Sequence, residues 1–185
     1  MNTGKLAGSV SAFDKRDISN FIDNHSTMLY RFCRSLTYNI EDAEDLFQEI
    51  WFAVLSKPQK LHNAKNPKVF IYNTAVYLWK SQQRKYARRK RLAPDTILCE
   101  ELDSGVNLEE DLLRQSEKEY VRDLINELSD KYRIPILLYY SLEFDISKIA
   151  EILNIPSGTV KSRLFYARNE IKKGWLKYEN PKLYD

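Results

Sequence analysis

Cations, hydroxyls and two aromatic side chains are concentrated in residues 154–169, NIPSGTVKSRLFYARN. Apolar residues spaced by three and four predict the buried stripe of a helix here, formed by Val160, Leu164, Ala167 and Ile171. At 100° per residue the opposite face carries Ser162, Phe165, Tyr166 and Asn169, flanked by Lys161, Arg168, Lys172 and Lys173. Cations bind phosphates, and short polar or apolar side chains contact base edges, so this face predicts DNA binding.

A shorter helix is expected just before this one, in DISKIAEIL, residues 145–153. Asp145 is suited to cap its start, and Asn154 follows where a left-handed residue must be tolerated. Pro156 prevents continuation, and we expect Ser157 to cap the next helix. Two helices joined by a three-residue turn predict a helix-turn-helix. The alternative is an ordinary helical hairpin with a solvated basic side, although an exposed Phe165 argues against it.

Aromatic and basic residues alternate in NPKVFIYNTAVYLWKSQQRKYARRKR, residues 66–91, with six cations between 84 and 91. Cations bind the phosphate backbone, and aromatic rings stack on bases that have left the duplex. The segment therefore predicts binding to locally opened DNA. For Phe70 and Tyr72, a role in the core remains the first expectation.

An acidic helix is predicted in YNIEDAEDLFQEIWFAVLSK, residues 38–57, with Asn39 as its cap. Its buried stripe is expected to contain Ala43, Phe47, Ile50 and Val54. The opposite face then carries carboxylates around an exposed aromatic residue: Glu41, Asp45, Gln48, Glu49, Phe52 and Leu55. This pattern favours a protein-docking surface, because a merely solvated acidic face explains the acids but not Phe52.

Several classes of protein are disfavoured by the sequence. Neither His25 nor His62 has a Glu three residues before it, as a helical di-metal site needs, and no phosphate-binding glycine loop or nucleophile–base set is present. Cys33 and Cys99 suit neither a disulfide framework nor a zinc site. We expect no enzyme, no cofactor and no metal. With no long apolar run and no signal peptide, we expect a cytoplasmic chain without membrane insertion.

Charge divides the chain into blocks. Residues 1–92 carry 16 Lys and Arg against 8 Asp and Glu, whereas 93–113 carry 7 acids and no Lys or Arg. Few glycines and mostly three-and-four apolar spacing predict an all-α protein of two small domains joined by a flexible acidic linker. The expected order is an extension over 1–15, a domain over 16–92, the linker over 93–113, a domain over 114–176 and a tail over 177–185. Helices are predicted at 17–36, 40–56, 67–91, 116–127, 130–142, 146–153 and 158–174.

Two segments resemble one known family. LSDKYRIPILLYYSLEFDISKIAEILNIPSGTVKSRLFYARNEIKK, residues 128–173, resembles region four of bacterial sigma factors of the extracytoplasmic-function branch, group IV. DAEDLFQEIW, followed by FIYNTAVYLWKSQQRKYARRKR, resembles region two of the same branch. The resemblance implies a sigma factor that binds core RNA polymerase and recognises minus-35 and minus-10 promoter elements. Its implied partners are the β′ clamp helices, the β flap, promoter DNA and an anti-sigma factor, with no small-molecule substrate.

The resemblance also implies roles for particular residues. Contacts to the minus-35 element are expected from Ser157, Thr159, Lys161, Ser162, Arg163, Phe165, Tyr166, Arg168 and Asn169. Contacts to the minus-10 element are expected from Tyr77, Trp79, Lys80, Arg84, Lys85, Arg88 and Arg89, with the loop 56–66 helping to hold a flipped base. Docking on core polymerase is expected from Glu41, Asp42, Asp45, Gln48, Glu49 and Phe52.

Three positions depart from the family pattern and leave the minus-10 preference open. Asn73 replaces a usual Arg, and Tyr77 and Ser81 stand where Asn and Asp are frequent. Two other functions remain possible from the residues: a free-standing helix-turn-helix regulator that binds duplex operators as a dimer, and a structural helical protein whose basic stretch binds RNA. A sigma factor would be nucleoid-associated when bound to polymerase.

Overall fold

A computed structural model of the protein describes residues 15–37, 39–92 and 109–180. These residues form helices and no strand, which confirms the all-α prediction. The helices are α1 (Lys15–Leu36), α2 (Ile40–Leu55), α3 (Pro58–His62), α4 (Pro67–Leu92), α5 (Glu109–Glu127), α6 (Asp130–Ile136), α7 (Ile146–Leu153) and α8 (Ser157–Glu179), with a π-helical turn at Leu137–Ser141 after α6. We call α1–α4 the N-terminal module and α5–α8 the C-terminal module.

Several boundaries differ from the sequence prediction. Helix α8 ends at Glu179 rather than 174, so it extends into the predicted tail 177–185. Residues 56–66 were expected to be a loop, but they contain α3, which starts at Pro58, a residue whose fixed φ suits the first helical position. Helix α5 begins at Glu109 rather than 116, so 109–113 belong to a helix and not to the linker. The expected helix 130–142 is divided into α6 and the π-helical turn, with Pro135 inside α6. The remainder of the predicted linker, 93–108, lies outside the described residues, as do 1–14 and 181–185.

The N-terminal module packs α2 between α1 and α4. Asn39 caps α2 as predicted, since its side-chain oxygen accepts a hydrogen bond from the Asp42 N–H at 2.7 Å. The buried stripe of α2 is wider than predicted because Leu46 and Trp51 are also buried, while Phe47 is half-buried. Buried residues on two adjacent sides fit a helix that contacts two neighbours instead of one.

The two modules pack against each other and share one continuous apolar core. Tyr72 of α4 lies between Phe32 of α1 and Phe144 of the loop before α7, with ring centroids 5.4 Å and 5.2 Å away. Both contacts are edge-to-face, the favoured geometry of aromatic pairs. The described residues therefore form a closed arrangement, in which the C-terminal module covers one side of α4.

The position of Tyr72 leads to a prediction about stability. Its hydroxyl is buried and makes no hydrogen bond with the described part of the chain, and this burial raises the pKa of Tyr72. Removing a buried hydroxyl that lacks a partner is favourable, so Tyr72→Phe should increase the free energy of unfolding by about 1 kcal/mol. Urea denaturation measures this change, and Tyr86→Phe, at an exposed position of α4, is the matched control with no expected effect. A loss of stability in Tyr72→Phe would contradict the prediction.

Candidate nucleic-acid interface

The helix-turn-helix has the predicted geometry at its turn. The Asp145 carboxylate accepts a hydrogen bond from the Lys148 N–H at 2.8 Å and lies 3.0 Å from the Lys148 ammonium. Asn154 adopts the left-handed conformation, with φ 51° and ψ 53°, which ends α7. The Ile155 N–H then donates to the Ala150 carbonyl at 3.1 Å, so the turn is closed by backbone hydrogen bonds.

The start of α8 differs from the prediction. Ser157 was expected to cap this helix, but it is the first helical residue, and Pro156 occupies the capping position without a side-chain hydrogen bond. Pro156 has φ −59° and ψ 145°, and its carbonyl accepts from the Thr159 N–H at 2.9 Å. The Ser157 hydroxyl is consequently not needed to cap the helix, and the residue is exposed at its N-terminus.

The two faces of α8 are divided as the spacing predicted. Val160, Leu164 and Ala167 are buried, and Ile171 is half-buried. Phe165, at the centre of the opposite face, is 66% exposed. The exposed polar and basic residues around it are Lys161, Ser162, Arg168 and Asn169, while Thr159 and Arg163 are half-buried.

Two of the predicted DNA contacts on α8 also have partners inside the protein. The Tyr166 ring stacks on Tyr132 of α6, with centroids 4.1 Å apart. The Arg168 guanidinium lies over the rings of Tyr139 and Tyr140, at 5.5 Å and 5.8 Å from their centroids. These contacts fix the two side chains in orientation, whereas Phe165 projects from the surface.

Most of the predicted minus-10 residues on α4 lie on its surface. Tyr77 is 63% exposed, and the cations Lys80, Arg84, Lys85, Arg88 and Arg89 are also exposed. Partial burial, together with the nearby Arg163 guanidinium of α8, lowers the pKa of Lys80, although Asp130 opposes this effect. Basic groups of α4 and α8 therefore lie close together.

Trp79 requires a correction. It was predicted to contact opened DNA, but it is only 3% exposed, and its indole N–H donates to the Asp130 carboxylate at 2.8 Å. A ring in the core cannot stack on a base in this arrangement. The sequence contained a signal for this burial, because Tyr72, Ala75, Val76 and Trp79 follow helical spacing and all four are buried.

The acidic face of α2 presents an aromatic residue to solvent. Phe52 is 76% exposed, and Leu55 beside it and Ile40 at the start of the helix are also exposed. Glu41, Asp42, Asp45 and Gln48 are exposed as well. Glu49 is half-buried and accepts a hydrogen bond from the Gln82 amide of α4 at 2.8 Å, so it joins two helices of the N-terminal module.

Within the described ranges, no group of three or more His, Cys, Asp or Glu residues could hold a metal ion. None of the described helices is long and apolar enough to cross a membrane. Cys33 is buried, and this burial raises its pKa to about 12, so the thiol is poorly reactive. Cys99 lies outside the described residues.

Comparison with known proteins matches both modules. Residues 21–89 match the family model of sigma-70 region 2, and residues 118–171 match that of sigma-70, region 4. The ECF RNA polymerase sigma factor SigW of Bacillus subtilis is 26% identical over 176 residues, which cover 91% of this chain and 94% of SigW. The ECF RNA polymerase sigma factor SigM of the same organism is 29% identical over 145 residues, covering 78% of this chain and 86% of SigM.

Solved structures share the fold. The sigma factor RpoE from Bartonella quintana, in complex with the anti-sigma factor NepR, has a TM-score of 0.74 at 23% identity and covers 86% of this chain and 97% of that one. CnrH, in complex with the cytosolic domain of CnrY, has a TM-score of 0.62 at 14% identity over 86% and 88% of the two chains. The chain therefore belongs to the sigma-70 family, in its extracytoplasmic-function branch. As an RNA polymerase sigma factor it directs promoter-specific transcription initiation, which confirms the prediction.

The cap of α7 makes the stability of the helix-turn-helix dependent on pH. Hydrogen bonds from the Lys148 N–H and ammonium lower the pKa of Asp145 below its ordinary value of 3.8. Asp145→Ala should reduce the thermal midpoint at pH 7, whereas Asp145→Asn, which keeps an oxygen acceptor, should reduce it less. Because the folded pKa is lowered, the advantage of the wild type over Asp145→Ala should be present above pH 3.8 and be lost as the pH falls from 3.8 through the lower pKa of the folded state. Thermal unfolding followed by circular dichroism tests this, and an equal advantage at all pH values would contradict the prediction.

Proposed function

We propose that three surfaces of this sigma factor have separate roles in initiation. Helix α2 docks on core polymerase, α8 reads the minus-35 element in duplex DNA, and α4 contacts opened DNA at the minus-10 element. The main support is that Phe52 and Phe165 are largely exposed on faces opposite buried stripes, each surrounded by charged or polar groups. Exposing two large rings to water is unfavourable unless a partner covers them.

The docking surface on α2 consists of Glu41, Asp42, Asp45, Gln48 and Phe52, extended by Ile40 and Leu55. An exposed aromatic anchor within a charged rim is the usual composition of a protein interface. We assign this surface to the β′ clamp helices of polymerase. Glu49 contributes mainly by positioning α2 against α4, because Gln82 occupies its carboxylate. The β flap is the expected partner of the C-terminal module.

On α8, Lys161 and Phe165 are the side chains best placed to enter a major groove. Ser157, Thr159, Ser162 and Asn169 supply hydrogen-bonding groups near them, and Arg163 is available for phosphates. Tyr166 and Arg168 serve mainly to orient the face, since both pack on tyrosine rings of the same module.

The minus-10 contacts are assigned to Tyr77, Lys80, Arg84, Lys85, Arg88 and Arg89 of α4. Exposed Tyr77 supplies a stacking surface, and the cations bind the backbone of the displaced strand. The loop between α2 and α4, with α3 inside it, is the expected place for a flipped base.

The remaining assignments follow from this division of roles. Residues 16–92 and 114–176 act as two domains, and the acidic segment between them spans the distance on the polymerase. The protein performs no chemistry itself, and catalysis belongs to the polymerase in the cytoplasm. An anti-sigma factor is the expected inhibitor, and this expectation is supported by the similar RpoE, which is bound to the anti-sigma factor NepR in its structure.

Docking through α2 predicts the effect of introducing one charge at an apolar contact. Phe52→Glu should weaken association with core polymerase at least about a hundredfold, which is the loss typical of an interface anchor. Tyr86→Glu, at another exposed aromatic position, is the matched control and should bind core normally in the absence of DNA. Surface-bound core polymerase titrated with each variant measures the affinity. Unchanged binding by Phe52→Glu, with an unchanged circular dichroism spectrum, would rule out this docking site.

If α8 reads bases, substitutions of Lys161 and Phe165 should change promoter binding in two different ways. Lys161→Ala should weaken binding to all promoter sequences and reduce the slope of affinity against salt by about one unit, because a phosphate contact is lost. Phe165→Ala should instead change which minus-35 sequences are preferred. Selection from a randomised minus-35 library with reconstituted holoenzyme separates the two effects. If both variants lose affinity equally on every sequence, Phe165 does not read bases.

A further inference from the structure

A positively charged groove lies between α1 and α5. Its cavity has a volume of about 520 Å³, and the charged residues that line it are Arg31 and Arg34 of α1 and Lys118 and Arg122 of α5. Among the described residues that line the cavity, none is an Asp or a Glu. We call this cavity with its four cations the basic groove. None of the four belongs to the surfaces assigned above on α2, α4 and α8, so the groove has no role in the proposed function.

Helical spacing directs the cations of each helix to the groove. Arg31 and Arg34 are three residues apart near the C-terminal end of α1, and Lys118 and Arg122 are four residues apart on α5. Residues at these spacings are neighbours on one face of a helix. Residues 24–37 contain no Asp or Glu, so this part of α1 offers its arginines no acidic partner.

The grouping of these charges is unfavourable while the groove holds no anion. Like charges three or four residues apart destabilise a helix, and two such pairs line the same cavity here. The α5 acids Glu117, Glu119 and Asp123 lie close to the cations in sequence but do not line the cavity. Negative charge is therefore what this groove lacks, and a bound anion would interact with both helices at once.

The size and lining of the groove suit a small molecule with several phosphate groups. Sites for small ligands typically have volumes of about 300–1,000 Å³, which includes the volume of this cavity. Three of the four cations are arginines, whose guanidinium groups donate paired hydrogen bonds to a phosphate. Ser141 and Asn126 add hydrogen-bonding groups. Apolar Val121, Ile125 and Leu137 form another part of the wall, against which a flat ring can pack.

We propose that the basic groove is a binding site for a small oligophosphate, and that a nucleoside polyphosphate fits its mixed lining best. The phosphates lie among the four cations, and the base packs on the apolar part of the wall. A small ligand is favoured over duplex DNA because the cations lie on two helices around one cavity. On α4, by contrast, the cations follow the exposed surface of a single helix, as a nucleic-acid backbone requires.

Isothermal titration calorimetry on the full-length protein, without divalent cations, tests the site with defined probes. ATP should saturate one site per chain, and AMP should bind at least about tenfold more weakly, because fewer phosphates then reach the cations. Inorganic triphosphate is the third probe, and it separates recognition of the phosphates from recognition of the base. A short duplex DNA of unrelated sequence is the fourth.

Variants at exposed positions of the groove show where the ligand binds. Arg31→Ala and Arg122→Ala should each weaken ATP binding roughly tenfold, since each removes charge-assisted hydrogen bonds. Arg122→Lys keeps the charge but not the paired donors, so its loss should be smaller. Lys172→Ala, an equal change of charge on the basic side of α8, is the matched control and should bind ATP normally. Circular dichroism verifies that every variant is folded.

The titrations distinguish the proposal from its alternatives. Absence of saturable binding of both ATP and inorganic triphosphate below ~1 mM would overturn it. An equal loss in Lys172→Ala and Arg122→Ala would also overturn it, because the ligand would then bind cations without selecting the groove. So would groove variants that lose affinity for duplex DNA but not for ATP, since the groove would then serve nucleic acid.

The two triphosphates identify the source of the ligand chemistry. Equal affinities for ATP and inorganic triphosphate, both lowered by Arg122→Ala, would support the site and assign recognition to the phosphates. Tighter binding of ATP would support the site and add a contact to the base. These titrations contain neither polymerase nor promoter, so their result is independent of whether the proposed function holds.

Discussion

The buried Arg133 guanidinium is the interaction on which the arrangement of the two modules depends. This side chain extends from the fourth residue of α6 to the C-terminal end of α1, where the carbonyl dipoles favour a positive charge. Removing a cation from water is costly, and the nearby Asp130 carboxylate and the Leu36 carbonyl help to make this burial tolerable. Because the Asp130 carboxylate is also the acceptor for Trp79, the orientation of α6 relative to α4 is coupled to the same charge.

The apolar contacts between the modules restrict their relative orientation less than this polar network does. Tyr72 packs between Phe32 and Phe144, and an aromatic cluster of this type tolerates sliding and tilting. Directional hydrogen bonds from Arg133 and Asn73 to single backbone carbonyls do not tolerate such movement. The apolar cluster therefore supplies attraction, and the hydrogen bonds determine one relative orientation.

The sequence predicted what depends on local periodicity. The stripe of α8, the Asp145 and Asn39 caps, the left-handed Asn154 and the exposed Phe52 all follow from residues within two helical turns of one another. The resemblance to a known family supplied the functional class. By contrast, the carboxylate partner of Trp79 and the carbonyl partners of Arg133 and Asn73 are 51, 97 and 79 residues away along the chain. No local pattern encodes such pairs, because a polar residue on a helix is predicted to be solvent-exposed until its tertiary neighbour is known.

Trp79 shows how the two kinds of information combine. Its local spacing assigns it to the buried side of α4, while the alternation of aromatic and basic residues suggested contact with bases. Both interpretations are consistent if the burial depends on the C-terminal module, since Asp130 and Arg133 of α6 cover the indole N–H and one ring face. The exposed Phe52 and Phe165 need no such rearrangement, because both rings are already open to solvent in the closed arrangement.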